Sequence, residues 1–158
     1  MFLFAALLIA LAPPPAVPDD KAKEKEVKAE LEKLKGKWKQ YSIETDGKER
    51  VLPDRVEVIV TIDGEKWKTV NRVTETESTF RIDPSEKPKT LDHIFKPAVG
   101  TEKGRVEKCI YKLDGDTLTI CSGESPQIGV AHDGKAERPK EFKTVGGGRI
   151  VVFKRVKE

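Results

Sequence analysis

Residues 56–73 read VEVIVTIDGEKWKTVNRV, and this stretch decides the fold class. Val56, Val58, Val60 and Ile62 alternate with other residues, Asp63-Gly64 interrupts the run, and a second run of strand length opens at Lys66-Trp67. A period of two places alternate side chains on one face of a strand, and Asp-Gly between two such runs signals a hairpin. The pattern repeats in both directions. Runs of strand length occupy 38–45, 56–62, 66–73, 76–83, 90–96, 106–113, 117–122 and 149–155. Turn residues separate them at Asp46-Gly47, Asp83-Pro84-Ser85, Pro97 to Gly104 and Asp114-Gly115-Asp116, and a long Gly- and Pro-containing connection precedes the last. Within the runs Phe80 alternates with Ile82, Leu91 with Phe95, and Leu118 with Ile120.

Eight successive antiparallel strands with one apolar face leave two exposed edges as an open sheet, and closing into a barrel removes both. The expected fold is therefore all-β, an eight-stranded up-and-down antiparallel barrel. In front of it, Asp19 and Asp20 can cap a helix to about Lys35, with Val27, Leu31 and Leu34 spaced i, i+4, i+7 and Gly36 placed to stop it. Lys and Glu fill the rest of that segment, so the narrow apolar stripe needs a surface to lie on. Closure makes a specific demand. If the first strand pairs antiparallel with the last, Trp38 lies beside Lys154-Arg155, where a guanidinium over an indole face gains about 0.5–2 kcal/mol. Gly36 lets the chain turn tightly into the first strand.

The 158 residues make room for one domain. Phe2 to Ala12 is an unbroken apolar run, too short for the ~20 residues of a membrane span and of the length of a secretory h-region. Small residues near Ala12 and Ala16 fit a cleavage site, and no Cys follows that would carry a lipid anchor. The expected division is a signal peptide over 1–18, a helix over 19–36 and a barrel over 37–158, exported to the periplasm or secreted without a stable membrane anchor. The net charge of +3, from 30 basic and 27 acidic side chains, is too small to imply a partner. Lys and Glu intermix along the chain with no basic stripe, which argues against nucleic acid.

The residues resemble a known family. The helix followed by Leu34-Lys35-Gly36-Lys37-Trp38-Lys39, with Arg155 near the end, resembles the Gly-x-Trp and Arg hallmark of lipocalin-like barrels. GKWKQYSIETDG (36–47), IDPSEKPKTLD (82–92), IYKLDGDTLTIC (110–121), RPKEF (138–142) and the closing VVFKR resemble, in that order, the lipocalin-like domain of unknown function abundant in planctomycete bacteria. The resemblance spans about residues 34–155 and implies a small, often exported barrel with no established role. Cys121 stands where this family carries a familiar Cys, whereas Cys109 stands where an apolar or small residue is usual, which weakens the case for a native disulfide.

The spacing of the two cysteines leaves two readings open. Cys109 and Cys121 flank Gly115 symmetrically, so a three-residue loop would set them opposite each other for a disulfide in an oxidising compartment. A two-residue loop, which gathers Tyr111, Leu113, Leu118 and Ile120 on one face, separates them as two buried thiols.

No short Cys-Cys or His-His spacing suggests a metal site, no motif suggests a cofactor, and no nucleophile elbow, HExxH or distinct carboxylate pair suggests an enzyme. Gly146 to Gly148 precede a strand rather than a helix, so they form a turn and not a phosphate loop. His93 alternates with Leu91 and Phe95 and is expected inside the barrel with a hydrogen-bond partner. The connections after the odd-numbered runs open at the end away from the helix, and the longest, 123–148, carries His132 and Arg138; its segment Arg138 to Phe142 either folds back across the mouth or tethers a disordered surface loop at Phe142. Trp67, Phe80, Phe95, Tyr111 and Phe153 are the candidate lining of a ligand cavity, with Arg138 at its opening. Short strands and a low apolar content favour an interior filled by these aromatics over a roomy one. The functional expectation is a non-enzymatic module binding a small apolar or amphipathic molecule, or, with a filled barrel, a protein–protein or envelope-structural module.

Overall fold

The computed structural model describes residues 20–96, 104–124, 137–144 and 147–157. The apolar head, His132 and Gly146 lie outside the described residues, as do parts of the connections after Phe95 and Glu124. One helix, α1 (Asp20–Leu34), precedes nine strands: β1 (Gly36–Thr45), β2 (Lys48–Val51), β3 (Ile59–Asp63), β4 (Lys66–Val70), β5 (Glu75–Asp83), β6 (Thr90–Phe95), β7 (Arg105–Asp114), β8 (Thr117–Glu124) and β9 (Gly148–Arg155). Each strand from β3 to β8 pairs antiparallel with the next, β3 pairs with β1, and β1 pairs with β9, which closes an eight-stranded barrel.

The ninth strand, β2, lies in what the sequence suggests is a plain loop over 46–55. Asp46 and Gly47 both take positive φ, 50° and 71°, the left-handed pair that a tight two-residue hairpin turn needs. They fold β2 back on the far half of β1, pairing Ser42 with Val51 and Thr45 with Lys48. The near half, Gly36 to Lys39, pairs with β3 instead. β1 therefore exchanges one neighbour along its length, and an irregularity between Gln40 and Ser42 marks the change on its β9 side.

Closure is locked where α1 meets the barrel. Trp38 stands opposite Arg155 in the β1–β9 register, and the guanidinium lies 4.1 Å from the indole centroid. Arg155 donates from Nη1 to the Lys35 carbonyl (2.8 Å) and from Nη2 to the Lys33 carbonyl (2.7 Å), while Trp38 Nε1 donates to the Leu34 carbonyl (2.8 Å). Carbonyls at a helix C-terminus lack partners within the helix and carry its negative dipole end. One cation and one indole therefore satisfy three of them while stapling the helix to the closing strands. Gly36 has φ of +128°, and a Cβ there would stand 3.1 Å from Arg155 Nη1. Both conformation and space call for glycine.

At this closed end the interior is filled. Leu34, Trp38, Ile62, Phe80, Leu91, Tyr111 and Leu118 are buried in one cluster. Glu30 of α1 joins them: its carboxylate takes hydrogen bonds from Lys89, from Lys33 (3.2 Å) and from the Tyr111 hydroxyl (3.3 Å). Burial opposes the Glu30 charge, but the Lys89 and Lys33 hydrogen bonds outweigh it and hold the carboxyl below its ordinary pKa. Burial, aided by the nearby Glu30 charge, pushes the Tyr111 phenol well above its usual range.

Candidate functional site

The inward rows of the barrel change character along their length. On β7 the row reads Tyr111, Cys109, Glu107 from the closed to the open end; on β8 it reads Leu118, Ile120, Ser122; on β9 it reads Phe153, Val151, Arg149. At the open end a cavity of about 380 Å³ remains, walled by Ile43, Val58, Val60, Trp67, Phe95, Ile120, Val151 and Phe153 together with polar groups. The interior is thus filled at one end and open at the other, rather than filled throughout. The reason is that the polar open-end side chains cannot pack as a dry core without losing their hydration.

Of the aromatics singled out from the sequence, Trp67, Phe95 and Phe153 line this cavity. Trp67 meets Phe153 edge to face at 5.9 Å, and its Nε1 donates to Thr69 Oγ1 (3.0 Å). Phe80 and Tyr111 sit deeper, in the closed-end core, because their strand positions lie nearer α1.

Arg138 is not at the mouth. The segment 137–144 runs along the outside of the barrel: Arg138 donates to the carbonyls of Leu91 (3.2 Å) and Cys109 (2.6 Å) and pairs with Asp92. Phe142 packs on Ile110, Cys121, Ile150 and Val152. Thr144 Oγ1 donates to Glu44 (2.9 Å) and accepts from the Gly47 amide (2.7 Å). The outward faces of β7, β8 and β9 carry their own apolar residues, and this strap covers them.

The same geometry rules out a disulfide. Asp114 pairs with Thr117 across a two-residue turn, so Cys109 stands opposite Ser122, and Cys121 opposite Ile110. Cys109 faces the interior with Tyr111, Cys121 faces the strap, and both are free thiols. Burial raises the pKa of each, Cys109 above the range in which thiols ordinarily ionise.

A polar belt surrounds the open-end cavity. Arg149 Nη2 reaches both Glu107 oxygens, at 3.1 and 3.2 Å, and Glu107 stands opposite His93 in the β6–β7 register. His93 Nε2 lies 2.6 Å from Ser78 Oγ, and its ring sits between Phe95 (4.2 Å between centroids) and Trp67 (5.0 Å). Burial dominates over the Glu107 charge and pulls the imidazole pKa from 6.5 down to about 4, so His93 is neutral at physiological pH. The interior placement and hydrogen bond expected for His93 are both present. Ser78, Glu107, Ser122 and Arg149 were missed, although their signal was available: the first three continue period-two rows already read as apolar, and Arg149 stands at even spacing from Phe153.

Chemically, the belt offers uncharged hydrogen-bonding groups and one compensated ion pair above an apolar floor. No reactive thiolate is present, since Cys109 is held protonated. Among the described residues no cluster of three or more His, Cys, Asp or Glu is arranged to hold a metal ion, and no helix is long and apolar enough to cross a membrane. No family model, curated protein or solved structure matches the chain.

Proposed function

We propose that the protein is a binding module that holds a small apolar or amphipathic molecule in the open-end cavity. The observation that carries this reading is the 380 Å³ space walled by Trp67, Phe95, Phe153 and aliphatic side chains. It falls within the ~300–1,000 Å³ of small-molecule sites. The charged exterior and filled closed end suit the rival protein–protein module equally well, but a wholly filled barrel has no use for such a space. The reading includes a non-enzymatic, exported protein of the lipocalin-like kind, supported by the apolar run 2–12 and by the Gly36, Trp38 and Arg155 clasp.

The two tryptophans make the test direct. Trp67 lines the cavity and Trp38 is sealed in the closed end. Titration with the uncharged dye N-phenyl-1-naphthylamine should quench Trp67 saturably, in Trp38→Phe as in the parent. Val60→Trp, which fills the cavity, should abolish saturation. Quenching that never saturates, or that survives Val60→Trp unchanged, refutes binding in this cavity.

A further inference from the structure

We infer that the occupant of this cavity carries an uncharged hydrogen-bonding head, a hydroxyl or carbonyl on an apolar body, anchored at Ser122, and that carboxylates are disfavoured. The inference rests on the binding reading above and narrows its ligand class.

Ser122 is the first reason. Its side chain lines the cavity and is 3% exposed, yet Oγ has no hydrogen-bond partner among the described residues. A buried hydroxyl without a partner is costly and rare, and it calls for a ligand group that completes it. A serine hydroxyl both donates and accepts, so it serves an alcohol or a carbonyl equally.

The charges supply the second reason. The lining cation, Arg149, is already engaged with both oxygens of Glu107, which is itself 7% exposed. A ligand carboxylate would have to take Arg149 from that buried partner or lie beside the Glu107 charge, and either is unfavourable. His93 offers no positive charge, being neutral and held against Ser78. Arg105, a further cation at this end among the described residues, stacks 4.3 Å above the Phe95 ring and does not line the cavity.

Isothermal titration with 1-decanol, 2-decanone and decanoate at neutral pH tests this. The alcohol and ketone should bind at least about tenfold more tightly than the carboxylate, and Ser122→Ala should weaken them by about tenfold. Because the Oγ lacks a partner in the unliganded protein, Ser122→Ala should leave Tm unchanged or raise it, whereas Ser122→Thr should keep most of the affinity. Loss of affinity without loss of stability is the signature expected. Decanoate binding as tightly as decanol, or decanol binding unaffected by Ser122→Ala, overturns the inference while leaving the cavity a binding site. Failure of all three to bind overturns both.

Discussion

His93 gives the protein a pH dependence of stability whose sign and window follow from its surroundings. In the unfolded chain the imidazole takes up a proton near 6.5; in the folded barrel, chiefly through burial, it does so only near about 4. Between those values the unfolded state binds more protons, so stability falls as pH falls, and below about 4 this group adds no further loss. The full displacement corresponds to about 3 kcal/mol, of which about 2 kcal/mol is lost between pH 7 and about pH 5, before most carboxylates titrate. Urea unfolding across that range measures it. His93→Gln, which keeps a side chain able to bond Ser78, should flatten the dependence to within about 0.5 kcal/mol even if the variant is less stable at pH 7. An imidazole resonance titrating near 6.5 in the folded protein, or equal pH slopes for parent and His93→Gln, refutes the reasoning.

Further outcomes follow from other contacts. Arg155→Lys keeps the charge but loses the fork over the Lys33 and Lys35 carbonyls and the flat face on Trp38, and should cost about 2 kcal/mol in urea unfolding. Glu30→Ala leaves the Tyr111 hydroxyl and Lys89 without their shared acceptor, and should cost about 2 kcal/mol at neutral pH. Since the folded Glu30 carboxyl lies below its ordinary 4.5, that contribution is complete above 4.5 and fades as pH falls beneath it, so the two unfolding curves should converge in acid. Non-reduced protein unfolded in iodoacetamide should gain two alkyl groups by mass spectrometry, one at each free cysteine. In native buffer Phe142→Ala should speed modification of Cys121, under the strap, and leave Cys109 protected.

The barrel was legible because its signals are local. Val56 to Ile62, the Asp-Gly turns and the demand that Trp38 meet Arg155 each constrain a few residues, and together they determine the order and closure of the eight barrel strands. The site was half legible. Period two assigns Trp67, Phe95 and Phe153 to the interior, but it says nothing of depth, so it could not tell that Phe80 and Tyr111 belong to the closed end. Arg138 was misplaced because a segment between two strands can cross the mouth or run down the outside, and only the outward apolar patch of Ile110, Cys121 and Ile150 decides between them. β2 was missed because Lys48 to Val51 is exposed throughout, with no buried face to impose an alternation.

The low apolar content finds its explanation in how the inward rows are divided. Tyr111, Leu118, Phe153 and Phe80 lie toward the helix, while Glu107, Ser122, Arg149 and Ser78 lie toward the mouth, so these four rows place a polar residue at the open end. A core packed in only half the barrel needs fewer apolar residues. Ser78, Glu107 and Arg149 keep hydrogen bonds by facing His93 or one another, and Ser122 faces the cavity, which avoids the desolvation that a dry, filled interior would impose. The packed core and the candidate binding cavity are thereby separated along the barrel axis. Truncating Phe80 or Leu118 to Ala removes close-packed core and should cost about 3–5 and 2–5 kcal/mol respectively. Changes at Val58 or Thr76, beside space that already exists, leave little new cavity and should fall within about 1 kcal/mol while altering what the cavity accepts.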